Sequence, residues 1–235
     1  MAHLKGSERA AYVKNMFGRI AGRYNLMNRL MTGGQDMKWR RFVVKQAQLK
    51  TGDKLLDLAT GTGDIAFEAL KSVSSLQVVG GDFALPMMQV GQTLPMGKQV
   101  GWTGADALNL PFAENAFNAI TAGYLTRNVI DLPRMFAEQL RVLKPGGRLV
   151  LLDSSPPKNN IFKPFIEIHL RFIIPLLGRI VAGKNGADAY QYLPSSTQAF
   201  KTPEELAAMM TKAGVRNVQF RTFMLGTMAV HWGEK

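Results

Sequence analysis

Between residues 54 and 153 short apolar runs alternate with amphipathic stretches, the pattern produced by a parallel sheet with helical crossovers. It predicts strands at 54–59, 76–81, 100–103, 118–122 and 148–153. Two further runs, 217–223 and 228–232, lie close enough to form a hairpin. Ahead of them, residues 8–49 carry Val13, Phe17, Ile20 and Tyr24 at helical spacing, then Trp39, Phe42 and Val43 beyond the Gly33-Gly34 break. The pattern reads as a two-helix N-terminal extension followed by an α/β unit, its seven-stranded sheet mostly parallel with the last strand antiparallel.

Residues 156–202 interrupt the alternation. Their first half, IFKPFIEIHLRFIIPLLGRIVAG, is apolar enough to suggest a membrane span, which needs roughly 20 predominantly apolar residues. Lys163, Glu167, His169, Arg171 and Arg179 are spread through it and two prolines interrupt it, so a buried or interfacial helical lid is expected instead. With 235 residues the chain suffices for one such domain, 1–235, and hardly for two.

Composition narrows the chemistry. The chain has no cysteine, which excludes disulfides, thiolate metal sites and cysteine nucleophiles, and nothing in it calls for a metal. The start, MAHLKGSERAAYVKNMF, lacks the apolar core of a signal peptide, so a cytoplasmic protein is expected. A formal charge of +12 draws it toward polyanions, either nucleic acid or an anionic membrane face.

The most informative stretch is KLLDLATGTGDIAFEAL, residues 54–70: a strand, a glycine turn and a helix. Gly61 and Gly63 permit a sharp turn and the close approach of a ligand, and the helix beginning near Asp64 offers free N–H groups. The same run also fits a dinucleotide fingerprint. The acids decide between them, because a pyrophosphate would face Asp57 and Asp64 as like charges, whereas S-adenosylmethionine carries an ammonium and a sulfonium. Asp82 ends the second strand, where an acid accepts from ribose hydroxyls; after the third, Asp106 can accept from an adenine amino group and the Ala107 N–H can donate to a ring nitrogen. The expected cofactor site comprises Asp57, Ala59, Thr60, Gly61, Gly63, Asp82, Phe83, Met87, Asp106 and Ala107.

Four segments then resemble the UbiE/MenG/Coq5 family of quinone-biosynthesis C-methyltransferases: MFGRIAGRYNLMNRLMTGGQDMKWRR, LLDLATGTGD, RNV at 127–129, and RVLKPGGRLVLLDSS at 141–155. YQYLPSS at 190–196, followed by a helix opening TPEEL, fits as well. The resemblance implies a Rossmann-like class I methyltransferase fold and S-adenosylmethionine-dependent methylation of demethylmenaquinol or a polyprenyl benzoquinol. It departs from the family pattern at Asn25 (usually Asp), Asp36 (usually His), Asp153 (usually Glu) and Tyr124-Leu125-Thr126 (usually Phe-Gly-Leu). The last three positions are expected near the substrate.

The resemblance implies a catalytic role for Arg127; since arginine stays charged, it would stabilise an oxyanion or orient a water. Asn128, Tyr24, His169, Tyr190 and Tyr192 are further candidates for ordering the reactants or moving a proton. A lipophilic quinol partner joins the lid and the basic charge into one expectation: peripheral contact with an anionic membrane on its cytoplasmic face. The alternative, that Phe162, Phe165, Ile166, Phe172 and Ile173 only cover the sheet, stays open, as does a homo-oligomer. Competing readings are a methyltransferase for another small aromatic or lipid, a nucleic-acid methyltransferase, a non-catalytic S-adenosylmethionine-binding protein and, last, a nicotinamide oxidoreductase. Nucleic acid is disfavoured because GYLTRN stands where amino-methylating enzymes place an Asp/Asn-Pro-Pro-aromatic motif.

Overall fold

The computed structural model describes residues 6–157, 161, 163–182 and 196–235. Strands β1 (Lys54–Leu58), β2 (Gln77–Asp82), β3 (Val100–Gly104), β4 (Phe117–Gly123), β5 (Leu143–Ser154), β6 (Arg216–Phe223) and β7 (Met228–Glu234) form one sheet in the order β3-β2-β1-β4-β5-β7-β6. β1 pairs in parallel with both β2 and β4, and β7 runs antiparallel between β5 and β6. The sheet is therefore as expected, apart from an earlier start to β5, which gains the Phe117↔Leu143 pairing across a register shift. Strand order reverses between β1 and β4, and at such a switch point the crossovers leave to opposite faces and open a crevice at the carboxyl edge.

Both faces of the sheet are covered, so β1 is apolar almost throughout, and Leu55, Leu56, Asp57 and Leu58 are all buried. On one face Leu55, Ala119 and Val150 meet Trp39 and Val43 of α3 (Asp36–Ala47) and Ile65 and Ala66 of α4 (Asp64–Ser72). On the other, Leu56, Ile120 and Leu149 meet Met135 and Phe136 of the later helix 132–142 and Leu206 and Met210 of helix 203–212. The latter helix opens with a capping box between Thr202 and Glu205.

The N-terminal extension differs from expectation. Its first helix is broken by a 3-10 turn, Ala21–Arg23, into α1 (Gly6–Ile20) and α2 (Tyr24–Thr32); Gly22, a poor helix residue, lies in that turn. Helix α5 (Leu85–Thr93) follows β2, and α6 (Leu132–Val142) follows β4. The lid comprises α7 (Lys163–Ile168), a π-helical turn His169–Ile173 and α8 (Ile174–Ala182). It does not cover the sheet: Ile166, Leu170 and Ile174 pack on Val13, Met16 and Ile20 of α1 and Met27 and Met31 of α2, while Phe165, Phe172 and Ile173 are exposed. Phe162 lies outside the described side chains. Helix α9 (Pro203–Lys212) returns the chain to the sheet, and β6 and β7 form the expected hairpin through a turn at Met224–Gly226.

A buried charge network holds the extension to the sheet. Asp36, fully buried, pairs with Arg40 and Arg29 and accepts from the Thr32 hydroxyl at 3.1 Å. The same two guanidinium groups reach Asp64 at the first turn of α4, at 3.2 Å and 3.1 Å. Asn25 of α2 accepts from the Thr62 hydroxyl at 2.7 Å. Two cations thus bridge two acids across three helices, and the first turn of α4 is a favourable place for a carboxylate.

Removing one member of a buried ion pair strands the other, at about 3–5 kcal/mol. Arg40→Met should accordingly lower the unfolding free energy by about 3 kcal/mol, the lower end because Arg29 still reaches both acids. Denaturant titration of Arg40→Met, Asp36→Asn and the double variant should give a cost for the pair smaller than the sum of the singles; simple additivity would show that the groups do not act together.

Candidate active site

The chain leaves β1 through a turn in which Ala59 (φ 53°), Gly61 (φ 57°) and Gly63 (φ 90°) all have positive φ. The two glycines serve different ends. Gly61 lines a cavity of about 350 Å³, where an added Cβ would come within 3.3 Å of the Met87 terminal methyl. Gly63 does not line that cavity. A Cβ there would lie 2.8 Å from Trp102 and 2.9 Å from Phe67, so beyond its left-handed φ the requirement is close packing, not the ligand approach expected for both.

This cavity occupies the switch point. Ala59, Gly61, Asp82, Phe83, Met87, Asp106 and Ala107, seven of the expected residues, line it, and so does Asn128. Asp82 is held at its position by backbone donors: Gly61 N–H to Oδ2 and Ala84 N–H to Oδ1, both at 2.7 Å. Asp106 accepts from Leu108 N–H at 2.9 Å. Asp57 and Thr60 lie beneath the turn, around a separate hollow of about 30 Å³. There Asp57 accepts from the hydroxyls of Thr60 (2.7 Å) and Thr121 (2.8 Å).

Burial pushes the Asp57 carboxyl up to about 6 against the opposing pull of those two hydroxyls, and burial raises Asp82 against its backbone donors. An acid held this way gains from an approaching cation and would repel a phosphate. Asp64 adds nothing to that preference, contrary to the sequence argument, because Arg29 and Arg40 already neutralise it.

A second cavity, of about 270 Å³, lies between α1, α2, the lid and the carboxyl ends of the strands. Met16, Ile20, Ile166, Leu170 and Ile174 make it apolar; Arg127, His169, Tyr24, Ser154 and Thr197 supply its polar points. Arg127 sits on the 3-10 turn Thr126–Asn128 after β4 and pairs with Asp153 at the end of β5. Asp153 also accepts from the Thr126 hydroxyl (2.6 Å), Arg127 N–H (3.1 Å) and Ser154 N–H (2.8 Å). Burial would lower the Arg127 guanidinium, but the carboxylate of Asp153 outweighs it and leaves the group above its ordinary value, hence charged. Arg127 is itself buried.

Phe17, Tyr24 and Tyr124 line both cavities and so form the wall between them. Burial raises both tyrosine hydroxyls, Tyr124 to about 12, so both stay protonated. Tyr124 has φ 60°, a conformation that costs a non-glycine residue roughly 1–3 kcal/mol. Its N–H donates to Leu152 O at 2.7 Å, Asn128 Nδ2 donates to its carbonyl at 2.9 Å, and the Arg127 guanidinium lies 5.0 Å from its ring centre.

The other expected residues separate. Asn128 faces the first cavity and Arg127 the second; of the three departures at 124–126, only Tyr124 lines the second cavity, while Leu125 lines the first and Thr126 is buried against Asp153. The His169 Nε2 lies 3.2 Å from Met31 O, a contact in which Nε2–H must donate, since a carbonyl only accepts. Tyr190 and Tyr192 lie outside the described residues. Sequence reasoning missed Val13, Lys14 and Phe17 as wall of the first cavity and Ser154, Thr197 and Leu225 as wall of the second. The helical period of α1 marked a buried face without saying what it would cover.

Against known proteins, the model of the ubiE/COQ5 methyltransferase family matches residues 4–235. A Desulfotalea psychrophila protein named ubiquinone/menaquinone biosynthesis C-methyltransferase UbiE is 49% identical over 223 residues, covering 95% of this chain and 90% of that protein. The demethylmenaquinone methyltransferase of Thermus thermophilus is 41% identical over 94% of this chain and 100% of its own. Among solved structures, the fold is similar to phosphoethanolamine N-methyltransferase 2 of Haemonchus contortus in complex with S-adenosyl-L-methionine (TM-score 0.63, 16% identity, 84% of this chain), of which this chain spans about half, 52%. It is also similar to the methyltransferase in a Haloferax volcanii complex with the Trm112 activator (TM-score 0.66, 15% identity, 93% and 96% of the two chains).

The raised Asp57 carboxyl carries a stability consequence. With its folded value near 6 against an ordinary 3.8, stability present below the lower value is lost as pH rises through the upper one. Asp57→Asn should therefore stabilise the ligand-free protein at pH 8 by up to ~3 kcal/mol and not at pH 4. Thermal melts at the two pH values measure this; equal effects at both would show that the charge of Asp57 is not what costs.

Proposed function

The chain belongs to the ubiE/COQ5 methyltransferase family, and we propose that it C-methylates a reduced polyprenyl quinone precursor, demethylmenaquinol or a polyprenyl benzoquinol, using S-adenosylmethionine. The observation that carries this reading is the pair of cavities divided by Phe17, Tyr24 and Tyr124. One is lined by acids over a glycine turn; the other is apolar with one buried guanidinium. The 235 residues act as one catalytic domain in which the extension forms the wall and the insertion the lid.

The first cavity fits the cofactor because Gly61 leaves its backbone open and acids border it. Asp82 would accept from the ribose hydroxyls, Asp57 would balance the ammonium from beneath the turn, and Asp106 with the Ala107 N–H would hold adenine. Phe83 and Met87 would pack on its apolar parts, with Ala59 and Thr60 shaping the turn. When bound, the cofactor supplies an electrophilic methyl group on a sulfonium.

The protein's share of the chemistry is then alignment and activation of the ring. A quinol carbon becomes nucleophilic as the neighbouring hydroxyl ionises, and Arg127, fixed by Asp153, favours that oxyanion. His169 lines the same cavity with its Nε2 engaged by the Met31 carbonyl, and its Nδ1 is suited to take the hydroxyl proton. Tyr24 and Tyr124 close the wall around the transferring group and exclude water, which matters because charge disappears as the bond forms. Asn128, on the cofactor side, supports the Tyr124 backbone. The substrate resides in a bilayer, so the enzyme works peripherally at the cytoplasmic face of a membrane.

Purified protein with S-adenosylmethionine and reduced demethylmenaquinone in detergent should yield the C-methylated product, and failure with both naphthoquinol and benzoquinol would overturn the reading. Arg127→Met should lower kcat by roughly 10²–10³ with unchanged affinity for S-adenosylhomocysteine, the loss associated with one oxyanion donor. Asp82→Ala should instead abolish that affinity in calorimetry.

A further inference from the structure

The lid has two apolar faces, and covering a cavity requires only one. Ile166, Leu170 and Ile174 form the inner face against α1 and α2. The outer face carries Phe165 (71% exposed), Ile168 (52%), Phe172 (66%), Leu176 (54%) and Ile180 (71%). Spacings of three and four residues put these five in one stripe along the helix. Leu26 and Leu30 of α2, also exposed, extend it: they share a helix face with Arg23, whose guanidinium donates to the Val181 carbonyl at the end of the lid. A contiguous apolar surface of this kind marks a contact with something.

Charge and continuity indicate what. Arg171 and Arg179 are exposed on the same helix, and Glu167, half-buried, is the only acid between Lys163 and Ala182. A second copy docked on this face would bring these cations against their own kind, whereas anionic lipid headgroups would match them while the apolar stripe entered the acyl region. The stripe also runs into the mouth of the substrate cavity. Phe165 at the start of the lid and Leu225 in the β6–β7 turn both line that cavity and are both more than half exposed.

We propose that the outer face of the α7–α8 lid docks on an anionic lipid bilayer, and that the prenyl tail passes between Phe165 and Leu225 from the cavity directly into that bilayer. The second half rests on the quinone reading; the first stands on the surface alone. Docking then places the mouth of the cavity at the depth of the tail, so the ring can enter without the tail crossing water. The candidate surface contains no transmembrane element: among the described residues no helix is long and apolar enough to cross a membrane.

Flotation of the full chain with vesicles of phosphatidylglycerol and phosphatidylcholine tests the docking. The wild type should float, and Phe172→Glu/Leu176→Glu, on side chains that line neither cavity, should bind at least about tenfold more weakly. Its turnover of a polyprenyl quinol in the same vesicles should fall in parallel, with turnover of a short-chain soluble quinol unchanged. Arg171→Glu/Arg179→Glu, which leaves the stripe intact, should weaken flotation too and guards against a folding defect in the first variant. Flotation of both variants like the wild type, or no flotation of the wild type, would overturn the proposal. So would a wild-type dimer in sedimentation that Phe172→Glu/Leu176→Glu converts to monomer without altering vesicle binding, since the partner would then be a second copy. Vesicle binding through this face without turnover of either quinol would uphold the docking surface and overturn the quinone reading.

Discussion

Everything that makes this sheet more than a scaffold depends on the ion network around Asp36, Arg40, Arg29 and Asp64. A Rossmann-like sheet has its crevice at the switch point whether or not anything precedes β1. Its outer wall here comes from α1 and α2, and so does one side of the second cavity. Those helices lie against the glycine turn because Asp64, at the first turn of α4, takes up two guanidinium groups that also hold Asp36. The lid in turn packs on α1 and α2 and not on the sheet. Glycine turn, extension and lid are thus linked in series by direct contacts that begin at one carboxylate.

Much of this was legible in the sequence, and the division follows the range of the interactions. Strands β1 to β5, the glycine turn and the acids at the strand ends are written locally: apolar runs, residues tolerating positive φ, and carboxylates directly after strands. All three translated into structure, including seven of ten expected residues on one cavity wall. At Gly63 the sharp turn, φ 90°, is the local requirement and is as expected, whereas the close approach of Trp102, 39 positions away in sequence, is announced by no local pattern. Asp64 was misread for the same reason: its helix-start position is local, but its neutralisation comes from Arg29 and Arg40. The second cavity was the least legible element, since its walls come from six separated segments, and local periodicity shows that a segment has a buried face and not which faces meet.

The exposed side of the lid illustrates the opposite error. Helical periodicity in an apolar stretch invites assignment of every large side chain to a core, and Phe165, Phe172 and Ile173 were candidates for covering the sheet. The charged residues at Arg171 and Arg179 already argued against a helix buried all round, because neither could be placed inside without a partner. With only a narrow inner stripe needed to seal the cavity, the remaining apolar residues are left on the surface.

Two pairs of departures from the family pattern meet in the structure, one in a single contact and one in a single network. Position 153, usually glutamate, holds the shorter aspartate, and position 126, usually leucine, holds threonine; in the structure the Thr126 hydroxyl donates to Asp153 at 2.6 Å. A carboxylate one methylene shorter stays nearer its own strand, and the new hydroxyl gives it a donor there, so that it still anchors Arg127. Likewise an acid usually at position 25 is replaced by Asn25 while one appears at Asp36, and both residues belong to the network that binds the extension to the turn. In this chain the carboxylate of the network outside the glycine turn stands on α3, at Asp36. Each pair belongs to one local arrangement, a buried guanidinium beside the second cavity or an ion network behind the glycine turn, although each residue taken alone departs from the pattern. Tyr124 is different: it adds a hydroxyl and takes a strained backbone in the wall between the cavities, so among these positions it is the one that lines both.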